Sequence, residues 1–150
     1  MACDWQELRF GKYKGKTPPQ IALCDPDWIF WANANLAPGP SSREIAIVAD
    51  RARRILLPAV DGVPQVVQYV VNPMSGKFVA VEIFPCAEPN LRRYPRVLDL
   101  SYARRCHPYD KFGGRLLVQA VKKYVLGVSR ITRDIADIFF IDDCNFAVWG

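Results

Sequence analysis

Val66-Val67-Gln68-Tyr69-Val70-Val71, then Asn72-Pro73-Met74-Ser75-Gly76, then Lys77-Phe78-Val79-Ala80-Val81-Glu82-Ile83-Phe84: the fold turns on this stretch. Two runs rich in β-branched and aromatic residues flank five residues of turn chemistry, which predicts an antiparallel hairpin. Side chains alternate along a strand. Phe78, Ala80, Glu82 and Phe84 are therefore expected on one face, and Val79, Val81 and Ile83 on the other. Val97-Leu98-Asp99-Leu100 reads as a third strand.

On either side of the hairpin the apolar period becomes helical. Ser41 and Glu44 have capping-box spacing and open an expected helix that runs to about Leu57. Ile45, Val48, Ala49, Ala52, Ile55 and Leu56 fall on one face of it, and Pro58 ends it. A second helix is expected over 114–126, ended by Gly127, with Leu116, Leu117, Ala120, Val121 and Tyr124 as its apolar stripe. Thr132 is placed to cap a short helix over 133–139. Phe146-Ala147-Val148-Trp149 reads as a terminal strand or a docked tail. The sum is an α+β fold: a small, mostly antiparallel sheet covered by helices, preceded by an N-terminal hairpin–helix module.

That module is Phe10-Gly11-Lys12-Tyr13-Lys14-Gly15-Lys16, followed by Thr17-Pro18-Pro19-Gln20-Ile21 and Asp25-Pro26-Asp27-Trp28-Ile29-Phe30-Trp31. Gly11 and Gly15 suit a tight turn, so 9–16 is expected to form a short strand, a turn and the start of a second strand. In an extended segment Lys12, Lys14 and Lys16 share one face. Two readings of that face stand side by side. Three amines can meet successive phosphates while Tyr13 offers a ring to a base. Equally, lysines on the solvent face of a hairpin keep it soluble and blunt its edge. Asp25 has the chemistry of a helix N-cap and Pro26 fits the first helical position. Ile21, Ala22 and Leu23 read as an apolar turn before it, and Trp28 and Trp31, three apart on one helical face, are expected in the core.

Residues 8–35 resemble the small module at the C-terminal end of exodeoxyribonuclease X-like proteins and of related bacterial and phage proteins. The shared pattern is Phe-Gly-Lys-Tyr-Lys-Gly-Lys followed by Asp-Pro-x-aromatic-x-x-Trp. The resemblance implies nucleic-acid business, and it implies a module that accompanies a catalytic domain rather than one that supplies the catalysis. Small proteins with this motif and no nuclease resemble accessory proteins of phages and other mobile elements. The corresponding division is 1–37 for the module and 41–150 for an α+β domain with no family resemblance. Pro38, Gly39 and Pro40 form the best linker candidate.

One hundred and fifty residues, about half of them hydrophobic, can enclose one core. The net charge of +5 permits an acidic partner without demanding one. Four basic residues balance four acidic ones in 1–40, so the excess lies outside the module. Five cysteines without a CxxC pair argue against a common zinc site and fit reduced, packed thiols in a cytoplasmic protein. The N-terminus lacks a basic and an apolar segment, so no secretory signal is expected, and no apolar run approaches a membrane span. No cofactor is expected.

Candidate chemistry is sparse. His107, the only histidine, adjoins Cys106, and neighbours on a strand face opposite ways, so they make no simple dyad. Glu82 and Asp99 are the best carboxylate pair for a magnesium-dependent nuclease. Asp134, Asp137, Asp142 and Asp143 read as a cap, a solvated helix face and a turn. The second binding surface spans 92–111. It holds Arg92, Arg93, Tyr94, Arg96, Tyr102, Arg104, Arg105, His107, Tyr109 and Lys111, and guanidinium groups interleaved with rings suit a nucleic-acid backbone. They also suit a protein interface or a solvated loop.

Three functions follow. The first is a non-catalytic nucleic-acid-associated protein. It uses Lys12, Tyr13, Lys14 and Lys16, with Arg92, Arg93, Tyr94, Arg96, Arg104, Arg105 and Tyr109, on a DNA or RNA backbone. The second is an accessory protein that binds and inhibits a nucleic-acid-handling host protein. The third is a metal-dependent nuclease centred on Glu82 and Asp99.

Overall fold

The computed structural model describes residues 5–86, 95–106 and 111–148. Among them are five α-helices and four strands: α1 (Pro18–Ala22), α2 (Pro26–Asn35), α3 (Pro40–Ala52), β1 (Ile55–Leu56), β2 (Gln65–Val71), β3 (Phe78–Pro85), β4 (Val97–Leu98), α4 (Lys111–Ala120) and α5 (Arg133–Phe139). The fold is α+β. The strands form two antiparallel pairs, β2 with β3 and β1 with β4. No helix among the described residues is long and apolar enough to cross a membrane.

The hairpin lies where the sequence places it, but its faces do not alternate as expected. Val71 pairs with Phe78 and Val70 with Ala80, so Val79 is an extra residue and the ribbon carries a bulge there. The bulge shifts the phase by one. Phe78 enters the core, Val79 is exposed, and beyond it Val81 and Ile83 pack inward while Glu82 faces out. Tyr69 stacks on Tyr102 with centroids 3.9 Å apart and planes 7° apart, and its hydroxyl accepts the Asp99 N–H at 2.8 Å. Burial pushes the Tyr69 phenol above its ordinary range.

The helix after the Pro38–Gly39–Pro40 connection begins earlier and ends sooner than its periodicity suggests. Pro40 takes the first helical position after Gly39, and Ser42 Oγ accepts the Gly39 N–H at 2.7 Å. The expected Ser41–Glu44 box does not form, because the Glu44 carboxylate accepts the Gln6 N–H at 2.7 Å. Ile55 and Leu56 leave the helix and pair with Leu98 and Val97, and Ile55 also bridges Phe146. A strand partner distant in sequence thus overrides the helical period.

Thr17 opens α1 with a reciprocal capping box to Gln20, so the apolar turn expected at 21–23 belongs to a helix that starts at Pro18. Asp25 caps α2 as expected, and Thr132 caps α5 as expected. α4 begins at Lys111 rather than at 114. It continues as a π-helical turn over Val121–Leu126 and stops at Gly127 in the left-handed region.

Leu8, Ile21, Ile29 and Phe30 share one buried cluster with Ile45, Val48, Leu98, Leu117 and Phe140. α1 packs on α3 and α5, and α2 packs on α3 and α4. A buried polar contact reinforces this. Thr17 Oγ1 donates to Asp137 Oδ1 at 2.5 Å, Arg133 Nε lies 3.5 Å from Asp137 Oδ2, and Trp5 Nε1 donates to the Asp137 carbonyl at 3.0 Å. Asp137, expected on a solvated helix face, is therefore buried. Burial of a carboxylate is tolerated only with partners such as these. Of the neighbouring acids, Asp142 caps the turn at Asp143–Asn145 and Asp143 pairs with Arg51 at 2.8 Å. Of the thiols expected to be packed, Cys106 packs half-buried against the core and Cys86 is half-buried, whereas Cys24 and Cys144 are exposed; these four are free, and Cys3 lies outside the described residues. Ala147 N–H donates to the Arg54 carbonyl, which docks the tail; Trp149 lies outside the described residues.

Candidate functional site

The lysine-rich segment is a loop of turns rather than two strands. Lys14 N–H donates to the Gly11 carbonyl and Lys16 N–H to the Tyr13 carbonyl. Gly15, at φ +88°, holds the third position of that second turn, a conformation that excludes most side chains. The loop closes where Gly15 N–H donates to the Leu8 carbonyl and Leu8 N–H to the Lys16 carbonyl. Two residues thus face one, the pattern of a glycine bulge. In consequence the three lysines do not share a face. Lys12 points to the N-terminus of α2, Lys14 lines a separate depression with Gln6 and Arg9, and Lys16 is exposed beside the closing pair.

Asp25 gathers the loop onto α2. Its Oδ1 accepts the Trp28 N–H, its Oδ2 accepts the Tyr13 hydroxyl at 2.5 Å, and Lys12 Nζ lies 3.6 Å from Oδ2. The Tyr13 ring meets Trp28 edge-on, 5.4 Å between centroids at 79°. Burial, reinforced by the bond to Asp25, pushes the Tyr13 phenol above its ordinary range. Both the ring edge and the hydroxyl of Tyr13 are therefore engaged inside the protein.

Trp28 is half-buried, and Trp31, 6.1 Å from it between ring centroids, is 47 % exposed. Trp28 packs against the core as expected, but Trp31 does not, because α2 buries Ile29, Phe30 and Ala32 and leaves its tryptophan edge toward solvent. That edge faces cations. Lys12, Asp25, Asp27, Trp28, Trp31, Arg104 and Lys111 line one depression. Lys12, Asp25, Asp27, Lys111 and Arg115 line the next, and Cys24, Arg115, Lys122 and Arg130 a third. The first two share Lys12, Asp25, Asp27 and Lys111, and the second and third share Cys24 and Arg115, so they are neighbours. Along their length Lys12, Arg104, Lys111, Arg115, Lys122 and Arg130 outnumber the two carboxylates.

Two adjacent glycines in α4 bring its basic face to this place. A Cβ on Gly113 would lie 2.7 Å from Ala103 Cβ and 2.9 Å from Phe78 Cδ2, and one on Gly114 would lie 3.3 Å from Asp27 Oδ2. Glycine inside a helix costs about 1 kcal/mol relative to alanine. Here it permits α4 to approach the β-ribbon on one side and the start of α2 on the other. Lys111 and Arg115, four apart on one helical face, then stand beside Lys12.

The arginine surface is divided. Arg104 Nη1 donates to the Asp27 carbonyl at 3.0 Å and lines the tryptophan depression. Arg105 pairs with Asp99 at 2.8 Å, lies over the Tyr102 ring at 5.3 Å, and lines an adjoining hollow with Arg53, Ser101 and Arg104. Arg96 is half-buried, with its Nε buried and no hydrogen-bond partner for it among the described residues. Arg92, Arg93, Tyr94, His107 and Tyr109 lie outside the described residues.

The proposed carboxylate pair is not a shared centre. Glu82 is exposed on the ribbon, whereas Asp99 accepts from Ser101 N–H at 2.8 Å, Ser101 Oγ at 2.6 Å and Arg105. Among the described residues, no three His, Cys, Asp or Glu side chains are grouped to hold a metal.

Sequence reasoning missed Trp31 as a surface residue, Arg115 as a neighbour of Lys12, and Lys122 and Arg130 as neighbours of Arg115. The legible signal was the basic spacing of Lys111, Arg115 and Lys122 on the polar face of one helix. No family model matches the chain, and no curated protein or solved structure matches it significantly.

Proposed function

We propose that this protein binds nucleic-acid backbone without catalysis, through the track that runs from Arg104 past Lys12, Lys111 and Arg115 to Lys122 and Arg130. One observation carries the reading: these cations line neighbouring depressions that share residues, with an exposed tryptophan at one end. Amines and guanidinium groups in a groove release counterions from phosphates, and a ring at the same place gives a base a surface to stack on. Lys12 carries over from the lysine-rich segment and Arg104 from the basic-aromatic stretch 92–111; Tyr13 serves here by fixing Trp28 and Asp25. The reading fits a cytoplasmic protein with free thiols, and contacts through backbone phosphates imply little sequence preference.

Fluorescence anisotropy with labelled oligonucleotides tests it. Binding should weaken steeply between about 50 and about 200 mM salt and fall in a Lys12→Ala/Lys111→Ala/Arg115→Ala variant. Absence of salt-sensitive binding to any oligonucleotide overturns it.

A second reading is favoured by Phe112, 59 % exposed beside Lys111. Exposed aromatic groups next to arginine also suit a protein partner, here an acidic surface of a nucleic-acid-handling host protein. A partner that stays bound after nuclease treatment, and is lost with the triple variant, favours this one.

A further inference from the structure

The tryptophan end of the track differs from the rest of it. Lys122 and Arg130 line a depression whose apolar walls are Leu23, Val118 and Ile131, with no ring in it. The depression at the other end holds two indoles and three cations, Lys12, Arg104 and Lys111, against two carboxylates, Asp25 and Asp27. Its indoles are preorganised. Trp28 is held by its T-shaped contact with Tyr13, Tyr13 by its bond to Asp25, and Asp25 by the α2 N-terminus that it caps. Trp31 leans on Trp28 at 48° and leaves nearly half of its surface in solvent. An apolar ring exposed in this way, beside cations and on a rigid helix, is placed to receive a flat aromatic group.

From this we infer that the site takes unpaired nucleotides, with a base stacked on Trp31 and its flanking phosphates on Lys12, Arg104 and Lys111. The inference rests on the nucleic-acid reading and narrows it from nucleic acid in general to single strands. In a duplex the base faces are stacked on one another, so an indole can reach them only where a base is free. Phosphate contacts alone do not distinguish the two forms so sharply, because both present a charged backbone. The preference therefore resides in Trp31, and the affinity shared by both forms resides in the cations.

The experiment compares a labelled oligo-dT of about 16 nucleotides, the upper range of a single-strand site, with a duplex of the same length. Wild type, Trp31→Ala, Trp31→Phe and Lys111→Ala are titrated at two salt concentrations, and each variant's thermal melt confirms its fold. The single strand should bind more tightly than the duplex. Trp31→Ala should weaken single-strand binding roughly tenfold or more and leave duplex binding and the salt slope nearly unchanged. Trp31→Phe, which keeps a smaller ring, should fall between. Lys111→Ala should lower the salt slope for both forms. Salt-sensitive binding that is equal for the two forms and indifferent to Trp31 overturns this inference and leaves the nucleic-acid reading standing. No salt-sensitive binding to either form overturns both.

Discussion

Asp25 and Asp137 each hold part of the N-terminal segment to a helix, yet the chain treats the two carboxylates in opposite ways. Asp137 is shut into the core with its side chain 5 % exposed, bonded to Thr17 and flanked by Arg133. Asp25 sits at the edge of open depressions with 17 % exposed, bonded to Tyr13 and near Lys12. The buried acid joins α1 to α5 and has no access to a ligand. The open acid caps α2, fixes Tyr13 and Trp28, and places one negative charge in a basic track. On the proposed reading, stability and recognition fall to different carboxylates, a division that substitutions can test.

The largest effect is expected at the buried acid. Asp137→Ala leaves the Thr17 hydroxyl without its acceptor and removes one of the two carboxylates beside Arg133, the other being Glu7 at 2.7 Å. The loss should be about 3 kcal/mol, read as a fall in melting temperature of roughly 10 °C. A melt within a degree or two of wild type would remove the distinction between the two acids. Next comes Gly113→Ala. Its Cβ would overlap Ala103 and Phe78, so α4 must shift, at about 2 kcal/mol by urea unfolding, and oligonucleotide binding should weaken as Lys111 and Arg115 move from Lys12.

Asp25→Ala sharpens the comparison because its two effects oppose. Loss of the cap should cost about 1 kcal/mol. Loss of the negative charge should tighten binding of a duplex, which does not use the indoles, roughly threefold at low salt and less at high salt. Weaker binding with no change in stability would reverse the roles proposed here. The smallest effect concerns pH. Tyr13 and Tyr69 both titrate above their ordinary value of 10.0 in the folded chain, Tyr13 through burial and Asp25, Tyr69 through burial. Their contribution to stability is complete below that value and is lost as pH rises through the folded range. Melts between pH 8 and 11 should therefore fall at the alkaline end, and less steeply in Tyr13→Phe and Tyr69→Phe.

Local signals in the sequence located the hairpin, the Asp25-Pro26 start of α2, the Thr132 cap and the Gly127 stop, because each depends on residues that are neighbours in the chain. Signals that depend on distant partners did not survive. Ile55 and Leu56 fit the helical face of α3, but Leu98 and Val97 draw them into a strand. Val79 looks like any strand valine, and only the pairing register reveals it as a bulge. Trp28 and Trp31 do share a face, but which face is buried depends on where Ile29, Phe30 and Ala32 find α3. The same holds for the site. The lysine loop and Arg104 were legible as charge, whereas their meeting with Lys111 and Arg115 depends on two glycines that fit against Ala103, Phe78 and Asp27.

The experiment to carry out first is the salt dependence of oligonucleotide affinity for wild type and for Lys111→Ala/Arg115→Ala, with the melt of each protein recorded alongside. The track model predicts unchanged melting and a slope of log K against log salt reduced by about 0.7 for each lost phosphate contact on a single strand. An unchanged slope and affinity in a folded double variant would contradict it.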